Sequence, residues 1–529
     1  MTQTTPRYVS PNPAETAEGW TLERVTRPSR LFGANGLHTG KDGRVYVASV
    51  GGSQVSAIDV DTLEIEAYAP MGGPITGPDD LAFDDAGNLY VTEITENQVR
   101  VLRPNGTSDV IADLRVANPI IFKQNRLIAG ELTMGARIVE LDRNGGAPRT
   151  IIEGVPMANA FDIGPDGKLY FPAQAANEIW RVSLDGGEPE VVTKDLGVPD
   201  SVKFHPDGYI VSTQVYSGQV LKIDPRTGEK EVLADVGPGL DNVAFVNGRT
   251  FVSHITGSIH EITPGKAKPL VKKGMQWPLG LAVAESGELF IADGGFTYTL
   301  QAGGEPELAG MLFSPGFPGW VRDVAAAGAG EWIVTTANGD VARFNPAGQA
   351  SEMLAQGYDR LMGVDLAASG AVVFAEMPTG RLLSVERGEV SELARGLDKP
   401  MGVAIGPDGA VYVAEAGAGR VTKVAGGKTE TVIDGLGTPE GLAIAGGKLY
   451  VVDTDSKQVI ESDLAGGNRR AIGANLPVGA PAGIVPKELG SVGDMCGPMT
   501  TFAGLAAGGD GTIYVAGAAE GSVLALRPA

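Results

Sequence analysis

One pattern recurs along the chain and constrains its fold more than any other feature. It is a short apolar run, a turn of the Asp-Gly or Asn-Gly type, and an alternating strand ending in Tyr-Val-Ala or similar. The pattern starts at Asn35 as NGLHTGKDGRVYVAS and returns at Asp79, Asn118, Asn159, Asp200 and Asp241. Six more copies begin at Leu279, Arg322, Met362, Met401, Glu440 and Ala503. Successive starts lie 44, 39, 41, 41 and 41 residues apart in the first half, then 38, 43, 40, 39, 39 and 63. A period near 40 built from short, turn-separated strands is the signature of four-stranded propeller blades. In the first copy the strands read Gly36–Thr39, Arg44–Ser49, Gln54–Asp59 and Glu64–Tyr68. The Asp-Gly turn makes a hairpin of the first two, with Gly supplying the positive φ such turns need.

Twelve copies predict an all-β chain of two consecutive six-bladed β-propellers, since propellers typically have four to eight blades. The expected organisation is a tail over 1–19, a catalytic propeller over 20–265, and a second propeller over 266–529 with an insertion near 473–500 that carries Cys496. Trp20–Val25 reads as a strand without a blade, Lys268–Val271 as a fourth strand, and nothing after Ser522–Leu526 as a fourth strand for the last copy. If Trp20–Val25 completes blade 6 and Lys268–Val271 completes blade 12, both rings close without an open edge.

Composition narrows the function. The chain has 529 residues, with 42 Lys+Arg against 64 Asp+Glu and a formal charge of −22. That balance argues against nucleic acid, whose phosphates need clustered Lys and Arg, and against a polybasic membrane-surface role. A single Cys forms no internal disulfide, no Cys/His zinc spacing is present, and no run of apolar residues is long enough to span a bilayer. The N-terminal stretch is polar and lacks the apolar segment of a secretory signal. A cytoplasmic protein acting on a small molecule, with no nucleic-acid or membrane partner, is the expectation. The 76 Gly are for the most part the blade turns.

The chemistry sits at one blade position, two residues before the first apolar residue of the innermost strand. In the first half it holds Asn35, Asp79, Asn118, Asn159, Asp200 and Asp241; in the second half Leu279, Arg322, Met362, Met401, Glu440 and Ala503. Turn-capping alone predicts the same residue types in both halves. Six converging carboxylates and carboxamides without His or Cys instead suit a hard divalent cation, above all Ca2+, which takes six to eight oxygen ligands. The ends of the second strands, Glu93, Glu131, Gln174, Gln214 and His254, open on the same face and are expected to border the pocket. His254 is also a candidate base, because neutral imidazole serves as one near pH 7. In the second half Asp293, Glu376, Glu415 and Asp453 take this place and read as structural acceptors for the turn that follows.

On these residues the first half resembles the SMP-30/gluconolactonase-like family of calcium-dependent six-bladed β-propeller hydrolases. In that family the metal is held by Glu from blade 1, Asn from blades 3 and 4, and Asp from blade 5. The resemblance implies a metal set of Asn35, Asn118, Asn159 and Asp200, with Asp200 also the general base for the attacking water. The departure is Asn35, which removes one negative charge that Asp79 or Asp241 can restore; these two fall among the substrate-binding candidates. The implied activity is lactone or ester hydrolysis. A propeller lyase or isomerase that removes a proton beside a carbonyl, with His254 or Glu131 as base, is the enzymatic alternative. A binding or scaffold propeller with a structural metal is the non-enzymatic one. The second half resembles NHL-like propeller repeats, expected to be non-catalytic and available for homo-oligomer contacts.

Overall fold

A computed structural model describes residues 7–529; residues 1–6 of the expected tail lie outside the described residues. The described residues are all-β, and their strands form twelve sheets, one per sequence copy. Eleven have four strands and one has five. By compactness the chain divides into two units: residues 31–273 with 489–493, and residues 7–30, 274–488 and 494–529.

The first unit is one six-bladed ring. Its inner strands are Leu37–Thr39, Pro78–Phe83, Ala117–Lys123, Asp162–Ile163, Pro199–Phe204 and Leu240–Val246. The Asp-Gly hairpins behave as their chemistry requires, with Gly43 at φ +79° in the first. Alternation along each strand turns apolar side chains toward both neighbouring blades, so the core is a series of wedges between blades. The wedge that closes the ring packs Leu37, Val45, Val47 and Ile58 of blade 1 against Val246, Phe251, Ile259 and Val271 of blade 6. Burying one such side chain contributes about 1.5–3 kcal/mol. The Ser253 hydroxyl of blade 6 donates to the Asn35 carbonyl of blade 1 at 2.6 Å, across the same closure.

The expected exchange of strands between the rings does not occur. Blade 6 is completed by Lys266–Val271, antiparallel to Ser258–Thr263. Only Pro264 and Gly265 separate these two strands, and so short a loop costs little entropy to close. Blade 12 takes its outer strand from the other end of the chain: Trp20–Arg24 pairs with Ser522–Pro528, Trp20 opposite Pro528 and Arg24 opposite Leu524. The first ring is thus a continuous stretch inserted after the first strands of the second. Within the expected tail, Glu15–Thr16 pairs with Gly473–Ala474 as the fifth strand of blade 11.

Trp20 anchors this long-range closure. It is buried, packs with Val452, Ile472, Leu524 and Leu526, and meets the Tyr450 ring edge-on at 6.2 Å. Trp20→Ala is expected to lower the stability of the second ring by about 3 kcal/mol. Hydrogen exchange checks this: amides of blade 12 should lose protection while those of blade 3 keep theirs.

Among the described residues no helix is long and apolar enough to cross a membrane.

Candidate metal centre

The inner strands of blades 2, 3, 5 and 6 each carry an irregularity at their first residues. Register shifts fall between Pro78 and Leu81, Ala117 and Ile120, Pro199 and Val202, and Leu240 and Val243. A bulge re-aims the side chain it contains, and these four contain Asp79, Asn118, Asp200 and Asp241. Asn35 and Asn159 stand just before the inner strands of blades 1 and 4. All six side chains are withdrawn from solvent, with exposures from 3% at Asn118 to 9% at Asp79.

Hydrogen bonds join them across blades. The Asn118 carboxamide donates to Asn159 Oδ1 at 3.1 Å, and the Asn159 carboxamide donates to Asp200 Oδ2 at 2.9 Å. Gln174 donates to the same Asp200 oxygen at 3.5 Å. Where blade 6 meets blade 1, Asn35 donates to Asp241 Oδ2 at 3.2 Å. Each of these carboxamides gives one N–H to this relay, and two acceptors are left over. Asn118 Oδ1 and Asp200 Oδ1 are buried without a hydrogen-bond partner. An orphaned buried acceptor costs about 1–3 kcal/mol, so the pair marks a place where these oxygens await a donor or a cation.

The electrostatics agree. Among the described residues no ion pair reaches Asp79, Asp200 or Asp241. Burial, with Asp80 beside it, pushes Asp79 up to about 7. Burial and the negative charges of Asp79 and Asp80 hold Asp200 well above the usual carboxylate range, and burial with Asp200 and Asp79 does the same to Asp241. Carboxylates that raise one another in a dry site are stabilised by a cation between them. Among the described residues no three His, Cys, Asp or Glu side chains gather closely enough to hold an ion by themselves, so a metal set here has to draw on carboxamides. Asn118, Asn159 and Asp200 fit that need, being hard oxygen donors with two oxygens unspent.

Asp80 belongs to the cluster and was not foreseen. Its carboxylate accepts from Leu81 N, Ile120 N and the Asn242 carboxamide, tying blades 2, 3 and 6 together beneath the six. Its signal was the doubled acid Asp79-Asp80.

The strand-end residues expected at the pocket serve another purpose. Glu93 accepts from Thr76 N at 2.6 Å and from Arg100 Nε at 2.9 Å. Glu131 accepts from Arg115 N at 3.4 Å and pairs with Arg137 at 2.6 Å. Gln214 accepts from Gly197 N at 3.0 Å. Each latches the loop that enters its own blade, and Glu376, Glu415 and Asp453 do the same in the second ring through Asp359 N, Asp398 N and Gly437 N. His254 follows suit: Nε2 meets the Pro238 carbonyl at 2.7 Å and therefore donates, which leaves Nδ1 to accept from the Thr256 hydroxyl at 2.9 Å. Burial lowers His254 to about 3, so both nitrogens are committed and the ring stays neutral. Glu93, Glu131, Gln214 and His254, expected to meet substrate or abstract a proton, are thus each held to a loop of their own blade. Gln174 alone of the five turns its side chain to the cluster. Glu93→Ala is expected to cost about 2 kcal/mol, since the loop loses its acceptor while the partly exposed Arg100 regains water; a urea midpoint measures it.

In the second ring the same bulged position delivers Arg322, Met362, Met401 and Glu440, all buried. Arg322 donates to the Leu361 and Pro498 carbonyls, and Glu440 accepts from Ala503 N. The second ring thus carries buried apolar and internally bonded side chains at this position, Arg322 held in part by Pro498 of the 473–500 connection. Within the same connection, Leu489–Gly493 groups with the first ring, where a Cβ on Gly490 would clash with the Thr95 carbonyl oxygen.

Among solved structures the chain is similar to a calcium-binding protein, regucalcin, from Agrobacterium tumefaciens str. C58. That match has 16% identity and a TM-score of 0.38, and it covers 47% of this chain and 96% of that one. A comparison with curated proteins returned no match. Residues 23–250 match the family model described as SMP-30/Gluconolactonase/LRE-like region. The buried oxygen cluster lies within this matched stretch, so the part of the chain that carries it is the part similar to the SMP-30/Gluconolactonase/LRE-like model.

Proposed function

We propose that the first ring is a calcium-dependent hydrolase that opens a lactone or a related ester. The observation that carries this reading is the pair of orphaned oxygens, Asn118 Oδ1 and Asp200 Oδ1, inside a cluster of mutually repelling buried carboxylates.

Asn35, Asn118, Asn159 and Asp200 would hold the ion, with Asp79 and Asp241 supplying the negative charge that Asn35 does not. A bound calcium supplies polarisation of the substrate carbonyl and offsets the charge that grows on its oxygen. Asp200 takes the proton of the attacking water. Its Oδ2 is steadied by Asn159 and Gln174, which holds the carboxylate in one orientation for that transfer. Gln174 orients Asp200 and faces the same space as the substrate. Burial of the cluster excludes bulk water and strengthens each of these interactions.

A lyase reading needs a base outside the metal set. Its candidates, His254 and Glu131, are spent on Pro238, Thr256, Arg115 and Arg137, which favours hydrolysis.

The test is a panel of lactones and aryl esters assayed with calcium-loaded and chelator-treated protein, with product mass as readout. Hydrolysis adds the mass of one water and depends on calcium. A product of unchanged mass would move the reading to a lyase or isomerase. A calcium-loaded protein that turns over nothing on the panel would leave a scaffold with a structural metal.

A further inference from the structure

The inner strands of the first ring begin at the oxygen cluster and end at a second opening. A cavity of about 270 Å³ lies there, lined from the inner strands of blades 1, 3, 4, 5 and 6. Lys203 stands three residues beyond Asp200, at most about 10 Å along a strand that is bulged at Asp200. The two sites therefore share strands and not side chains.

The cavity is cationic where the other mouth is anionic. Lys123 and Lys203 both line it, with Asp162 the single acid. Lys123 is neutralised, since its ammonium donates to Asp162 at 2.6 Å and to the Ile163 carbonyl at 2.8 Å. Lys203 is not. Among the described residues no carboxylate lies within ion-pair distance of it, and its ammonium donates once, to the Phe161 carbonyl at 3.3 Å. An ammonium has three donors, so two remain for a ligand. Asp80 acts on Lys203 only at longer range, and its oxygens are taken by Leu81, Ile120 and Asn242. Apart from Thr39 and His38 the remaining lining is apolar, with Phe122, Phe204 and Phe245 beside Leu37, Ile121, Val243 and Ala244. His38 also lines it, held neutral by burial and by Lys203, and so offers polarity without a second charge.

One positive charge without an ion-pair partner, an apolar wall that includes three phenylalanines and a volume near the lower end of small-molecule pockets define a narrow class of ligand. We propose that this second mouth binds a small organic monocarboxylate with an apolar body, its carboxylate on Lys203 and its body among Phe122, Phe204 and Phe245. The volume is too small for a nucleotide, and a bare inorganic anion would leave the apolar wall uncovered.

Calorimetric titration of the full-length protein with sodium benzoate, benzamide and inorganic phosphate tests this. Benzoate should bind at one site per chain, with benzamide and phosphate each at least about tenfold weaker, because a charge-assisted hydrogen bond and the apolar contact are both required. Lys203→Met should weaken benzoate by about tenfold or more and leave benzamide unchanged. Binding should survive treatment with chelator. Loss of benzoate binding on chelation would put the carboxylate on a metal at the other mouth and overturn the proposal. Equal binding of benzamide or of phosphate, or an unchanged affinity in Lys203→Met, would overturn it too. Should that variant fail to fold, the three-ligand comparison on the unaltered protein still decides.

Discussion

Asp200→Asn is expected to lower lactone turnover at saturating calcium by about 10²- to 10⁴-fold, the range supplied by a positioned general base. The substitution keeps size and shape and removes the atom that accepts the proton. It also disturbs the relay in a way the hydrogen bonds make specific. Asp200 presents Oδ2 to the Asn159 carboxamide and leaves Oδ1 unspent. An asparagine has one oxygen for these two places. If the oxygen faces Asn159, an amide N–H points where a cation needs an acceptor; if it faces the cation, two amide donors meet. Asn159 cannot turn to relieve this, because its own Oδ1 accepts from Asn118 and from Ala160 N. Calcium affinity should therefore fall as well, by about 10- to 100-fold, the equivalent of one hydrogen bond to a charged group. Measuring turnover across a calcium titration separates the two effects. Full turnover once calcium is restored would remove Asp200 from the role of base.

Calcium should stabilise the first ring strongly. At a free concentration one hundred times Kd, a ligand that binds only the folded state adds about 2.7 kcal/mol. For a unit of 150–250 residues that is about 5–10 °C in Tm. The effect follows from the state of the site: Asp79, Asp200 and Asp241 are buried near one another with no cation paired to them, and two acceptors lack donors. Both costs fall when a divalent cation arrives. Differential scanning calorimetry with calcium and then with chelator measures it, alongside metal analysis of the purified protein. Asn118→Ala, which removes one of the two unspent oxygens, should reduce the shift. No shift, together with no copurified metal, would dismiss the cation site.

Much of this site was legible before any coordinates. The position occupied by Asn35, Asp79, Asn118, Asn159, Asp200 and Asp241 repeats with the blades, and a side chain repeated at the start of every innermost strand converges on an axis whatever the loops do. The strand-end residues were legible only as polar. Nothing in the identity of Glu93 or His254 distinguishes a side chain facing a pocket from one latching the loop sixteen or seventeen residues upstream. That choice depends on where Thr76 N and the Pro238 carbonyl lie after the blade has formed. Gln174 differs from its neighbours in the same way, through a partner in the next blade.

The contrast extends to the architecture. Strand alternation, Asp-Gly turns and a period near 40 are local properties, set by residues a few positions apart, and by themselves they determined twelve blades and two rings. Which strand closes which blade is not local. Lys266–Val271 folds back through a two-residue turn onto its immediate neighbour, and this satisfies the edge of blade 6 without any distant strand. The edge left open was that of blade 12, and Trp20–Arg24, some five hundred residues away, covers it. Backbone hydrogen-bonding groups are alike in every strand, so only the assembled rings, with their apolar wedges and remaining open edges, could decide that pairing.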